Sequence, residues 1–62
     1  MKSYGTILRE MLKENHLKQR ELSARTGISY SSIQRYIHGE RTPKLEDIRK
    51  INEAIYWWGD KR

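Results

Sequence analysis

Residues 19–39 read QRELSARTGISYSSIQRYIHG, and the spacing of apolar residues within this stretch decides the fold. Leu22, Ile28, Ile33 and Tyr36 fall where two short helices would each bury one face, with Gly27 between them. Glycine tolerates the left-handed conformation in which many helices end, so the earlier of the two helices should stop there. Ser29 restarts the chain as an N-cap. Ile28 just before the cap and Ile33 five residues later can close over it as a hydrophobic staple, which fixes the angle between the helices.

Upstream, Ile7, Leu8, Met11 and Leu12 form an amphipathic stripe, predicting a helix from about Ser3 or Thr6 to Asn15. Leu17 plugs the corner after it. The second helix starts near Lys18 or Gln19 and turns Leu22 inward, with Ser23 at a crowded helix crossing. The third spans roughly Ser29 to His38 and stops at Gly39. Thr42 followed by Pro43 reads as a cap and a first helical residue, so a fourth helix is expected to open at Pro43. Glu46 and Asp47 suit its positive end, and Leu45, Ile48, Ile51 and Ile55 repeat at helical spacing to about Tyr56. Gly59 to Arg62 reads as a frayed, charged tail. No segment reads as a strand, a linker or a repeat. Residues 1–62 form one all-α domain.

A chain of 62 residues builds one small core and leaves little room for an enclosed catalytic pocket. It has no Cys, so helix packing must supply the stability, and His16 and His38 are too few for a metal site. No cofactor or small-molecule ligand is indicated. Thirteen Lys and Arg against eight Asp and Glu give a net charge of +5, which favours a polyanionic partner. No apolar run approaches the length of a membrane span, and Met1 to Thr6 lacks the apolar centre of a signal peptide. A soluble, cytoplasmic protein is expected.

Gln19-x-Glu21-Leu22, Gly27-Ile28-Ser29, Ile33 with Tyr36, and Gly39-x-Arg41-x-Pro43 form a specific combination. On these residues the stretch from Leu17 to Ile55 resembles the Cro/C1-type helix-turn-helix family, the phage-repressor-like DNA-binding domains of bacteria and their viruses. The resemblance implies a compact four- to five-helix repressor-like domain, with the helix-turn-helix at about residues 18–39. It also implies symmetric dimers on operator DNA, with the third helix in the major groove. Four positions depart from the family's habits. Ser23 replaces the usual Ala at the crossing, and Lys18 replaces the Ser or Thr cap. Leu12 and Ile37 stand where many relatives pair Arg with Glu, an exchange that need not cost stability. Tyr56-Trp57-Trp58-Gly59 arrives without the turn that would begin a fifth helix.

On a helix beginning at Ser29, the face opposite Ile33, Tyr36 and Ile37 carries Tyr30, Ser31, Gln34, Arg35 and His38. Tyr30, Ser31, Gln34 and Arg35 are the candidate base readers. Arg35 could grip a guanine through O6 and N7, and Tyr30 could meet a thymine methyl or a phosphate. The family position of Gln19 implies a phosphate contact at a helix end that attracts anions. Lys18, Ser29, His38, Arg41 and Lys44 complete the candidate phosphate set. Tyr56, Trp57 and Trp58 are the candidate dimer interface. Adjacent tryptophans cannot share one helix face, so one should complete the core and leave the other exposed. Provided Trp57 is the core member, Trp58 is the exposed one that pairs the copies.

These residues favour a sequence-specific transcriptional regulator of repressor type acting on double-stranded operator DNA, in a bacterial or phage-infected cell, as a homodimer at least on DNA. The competing reading is the same scaffold used as a protein-interaction module, such as an antitoxin or adaptor. That role calls for an apolar outer face on the third helix, whereas this one is polar around a single Tyr. Catalysis is disfavoured because Ser29, Ser31 and Ser32 with His38 lack an orienting carboxylate on that face.

Overall fold

A computed structural model describes residues 3–60 as four α-helices: α1 Tyr4–Glu14, α2 Gln19–Thr26, α3 Tyr30–Ile37 and α4 Leu45–Asp60. α1 and α2 each pack on α3, and α4 packs on α2. Among the described residues there is no strand, and no helix is long and apolar enough to cross a membrane.

Each boundary has a local cause. Ser3 caps α1, its hydroxyl accepting the Thr6 N–H at 3.3 Å. At the far end Asn15 folds its side-chain amide back onto the Met11 carbonyl at 2.7 Å, and His16 takes a left-handed φ of 53°. The chain thereby drops Leu17 into the core, as its sequence position led one to expect.

Hydrogen bonds fix the turn between α2 and α3 several times over. Gly27 is left-handed at φ 78° and donates to the Ser23 carbonyl at 2.9 Å. The Thr26 hydroxyl donates to the Leu22 carbonyl and accepts the Ile28 N–H. Ser23 donates its hydroxyl to the Ile28 carbonyl at 2.6 Å. The serine at the crossing therefore acts on the turn, where an alanine could only fill space. Ser29 caps α3 through the Ser32 N–H at 3.2 Å, and Ile28 and Ile33 are both buried around that cap.

The core joins Leu8, Leu12, Leu17, Leu22, Ile28, Ile33, Tyr36, Ile37, Ile51 and Ile55. Leu8, Leu22, Ile33 and Ile51 are fully enclosed, each contributing about 1.5–3 kcal/mol of apolar burial. Leu12 and Ile37 lie in this core on the packed pair α1 and α3, where relatives place an ion pair. α1 comes so close to α3 that a Cβ on Gly5 would stand 2.5 Å from the Tyr36 carbonyl oxygen and 2.6 Å from that of Ile37.

Four expectations are corrected. Ile7 is 40% exposed, because Gly5 rather than a side chain makes the close approach and turns the buried stripe toward Tyr4, Leu8 and Leu12. α4 opens at Leu45 instead of Pro43, with Lys44 as the cap position whose carbonyl accepts the Ile48 N–H at 3.0 Å. Pro43 instead lines a cleft with Tyr4, Tyr36 and Arg41, and Thr42 lies exposed two residues before the cap position. Leu45, one residue past the true cap, is 72% exposed and leaves the apolar stripe to Ile48, Ile51 and Ile55. Finally, α4 runs unbroken through Trp57 and Trp58 to Asp60, so there is no fifth helix among the described residues. Gly59 and Asp60 are thus helical, and Lys61 and Arg62 lie outside the described residues.

α4 is held at both ends. Near its start Asp47 accepts a 2.5 Å hydrogen bond from the buried Tyr36 hydroxyl. That bond, aided by burial and the nearby carboxylate charge, pushes the Tyr36 pKa up, while Arg41 pulls weakly the other way. Near its end Trp58 donates its indole N–H to the Asn15 carbonyl at 2.7 Å, and the Arg25 guanidinium sits 4.5 Å above its ring.

Candidate nucleic-acid interface

α3 buries Ile33, Tyr36 and Ile37 and leaves Tyr30, Ser31, Arg35 and His38 exposed. Its two faces are divided as the periodicity demands. Gln34 departs from the outward placement expected of it. It is half-buried, and its amide Nε2 donates on the exposed surface to the Tyr30 hydroxyl at 2.9 Å, one helical turn back.

The start of α2 adjoins the start of α3. Arg20 is exposed and holds its guanidinium carbon 5.5 Å from the centroid of the Tyr30 ring. Beside it Gln19 is half-buried, and its Oε1 is buried with no hydrogen-bond partner among the described residues. The backbone N–H of Gln19 and its amide N–H groups are what remain to meet an anion. Lys18 is exposed at the cap position. An ammonium cannot accept a helix N–H, so the Lys18 backbone N–H donates instead to Glu21 Oε1 at 3.1 Å. Lys18 thus keeps its charge in solvent while Glu21 completes half of a capping box.

Past α3, His38 occupies the C-cap and Gly39 turns the chain at φ 75°. Arg41 and Lys44 are exposed in the segment that follows, as is Glu40. Ser29, placed in the phosphate set by sequence, spends its hydroxyl on Ser32, accepting the N–H and bonding the Oγ at 2.9 Å. Its side chain is a helix cap, which leaves only the backbone for an anion.

Trp57 and Trp58 divide as two adjacent helical residues must, and the member packed on the core is Trp58. Trp58 is the member tied into its own chain, whereas Trp57 is 53% and Tyr56 67% exposed, their rings meeting edge to face at 5.7 Å. The exposed aromatic surface is therefore Tyr56 with Trp57. Beside it a shallow groove between α2 and α4 is lined by Arg25, Thr26, Lys50, Glu53 and Ala54 as well as Trp57.

Sequence reasoning missed Arg20. A cation in the first turn of a helix opposes the macrodipole, and that mismatch was the available signal that the residue serves something other than its helix.

The geometry is that of a helix pair presenting a polar helix beside exposed cations. A family model described as helix-turn-helix matches residues 8–55, which is most of the chain. The chain belongs to the Cro/C1-type helix-turn-helix family. Neither curated proteins nor solved structures give a match to it. Membership brings a DNA-binding, regulatory role, with DNA as the partner.

Proposed function

We propose that this chain is a sequence-specific transcriptional repressor that reads operator DNA through the major groove with α3. The observation that carries the reading is the division of α3 into a buried apolar face and an exposed polar one. Ser31 and Arg35, with Tyr30 and its partner Gln34, are the base readers. Lys18, Gln19, His38, Arg41 and Lys44 hold phosphates, which set register without reading sequence. The backbone of Ser29 is the remaining contact at the start of α3. The host is a bacterium or a phage-infected cell, with the protein at the nucleoid.

Two copies pair two-fold on DNA through Tyr56 and Trp57. One domain of this size touches few base pairs, and half-sites one helical turn apart multiply the discrimination. The aromatic pair is small, so DNA does much of the work of bringing the copies together.

Selection of bound sequences from random duplex DNA, with the salt dependence of the winning site measured, tests this. A palindromic site whose affinity falls steeply with salt is expected. Failure to enrich any sequence overturns the reading and leaves the interaction-module alternative, an antitoxin or adaptor, in its place.

A further inference from the structure

Arg20 stands where a cation is least welcome in a helix, at the second residue of α2. Among the described residues its partner is an aromatic face and not a carboxylate: the ring of Tyr30, 5.5 Å away on the next helix. A guanidinium attracted to a ring needs no carboxylate or carbonyl partner, so its N–H groups that point away from the ring stay available to a phosphate while the ring contact holds.

Tyr30 is constrained a second time. Its hydroxyl accepts from Gln34 Nε2 at 2.9 Å, which leaves the phenol its own hydrogen to donate. Gln34 in turn keeps Oε1 as an acceptor. A glutamine with both amide groups free grips adenine through N6 and N7 together. With one N–H of Nε2 turned back onto Tyr30, Gln34 is held in place with Oε1 free to accept from the amino group of adenine or cytosine and its second N–H free to donate, while the phenol donates to a neighbouring acceptor.

Building on the DNA-binding reading above, we propose that Arg20 is a positioning residue of the interface. It fixes Tyr30 so that Tyr30 and Gln34 read bases as one donor–acceptor unit, and it contacts the backbone phosphate beside that unit.

The test uses the full chain and the duplex site that the wild type selects. Affinities are measured for that site and for each single base-pair change, at several salt concentrations, for Arg20→Lys, Arg20→Gln, Tyr30→Phe and the Arg20→Lys/Tyr30→Phe double variant. Helicity and melting temperature are followed in each. Arg20→Lys should keep the salt slope but lose discrimination roughly fivefold at the base pairs where Tyr30→Phe loses it. Arg20→Gln should also lower the salt slope by about one phosphate contact. The double variant should discriminate no worse than Tyr30→Phe alone. Unchanged base discrimination in Arg20→Lys, or additive losses in the double variant, overturns the proposal while leaving DNA binding intact. If the wild type selects no duplex at all, both readings fall.

Discussion

Trp58 donates its indole N–H to the backbone carbonyl of Asn15, joining the end of α4 to the end of α1 across 43 residues of sequence. Arg25 of α2 closes over the same ring, so one side chain ties together the C-terminal ends of three helices. Trp57, its neighbour, belongs to the outside.

The two tryptophans should therefore respond differently to truncation. Trp58→Phe loses the hydrogen bond and should cost about 1–2 kcal/mol, and Trp58→Ala about 2–4 kcal/mol with the packing gone as well. Trp57→Ala should stay within about 0.5 kcal/mol of wild type. Urea denaturation separates these cases, and equal losses at the two positions would contradict the assignment.

Trp57→Ala should instead weaken pairing. On a full palindromic site the variant should bind with reduced cooperativity, at nearly unchanged half-site affinity. Gel-shift titrations on whole and half sites measure this, and unaltered cooperativity would remove the Tyr56–Trp57 surface from the dimer.

Gly5→Ala is a reversal of the usual propensity rule. Alanine favours a helix interior by about 1 kcal/mol over glycine. Here the new Cβ would meet backbone oxygens of Tyr36 and Ile37 at 2.5 and 2.6 Å, and backbone cannot rotate away as a side chain would. Overpacking of this kind costs about 1–3 kcal/mol, so a net loss of stability and a lower melting temperature are expected.

Alkaline stability should depend on Tyr36. Its pKa lies above the ordinary 10.0 because its hydroxyl donates to Asp47 inside the fold, so folding favours the protonated phenol. The contribution is complete below pH 10 and is lost as the pH climbs through the raised value. Tyr36→Phe should be less stable near neutrality by about 1–2 kcal/mol, yet lose less stability than wild type between neutral and strongly alkaline pH. Urea midpoints at two pH values, compared between the two proteins, decide it.

At the DNA interface, Arg35→Ala should weaken operator binding far more than binding to random duplex, because a base contact of about 1–3 kcal/mol is lost while phosphates are still held. Lys44→Ala should weaken both alike and flatten the salt dependence. Equal losses for Arg35→Ala on the two DNAs would strike it from the base readers.

The helix pair was legible because its information is local. Gly27, Ser29 and the staple of Ile28 and Ile33 carry their meaning within a few residues, and the inward face of α3 follows from its period. The start of α4 was misplaced because Thr42-Pro43 is a strong local signal that a distant demand overrides: Pro43 lies in the cleft with Tyr4 and Tyr36. The roles of Gly5, Asp47 and Trp58 depend on partners 31, 11 and 43 residues away, which no periodicity reports. Arg20 and the bond from Gln34 to Tyr30, the latter only one helical turn long, were hidden for a different reason. An outward-facing pattern says which side chains reach solvent, and nothing of which ones grasp each other there.

The buried residues of α3 are Ile33, Tyr36 and Ile37. Ser31, Arg35 and His38 can thus be rewritten with little penalty to folding, making this surface a lock whose tumblers are separate from its casing. Tyr30 and Gln34 are not so free, being joined to each other and, through the ring, to Arg20 on another helix. Retargeting such a domain to a new sequence would proceed one letter at a time at Ser31 and Arg35, and only by exchanging a matched set at Tyr30 and Gln34.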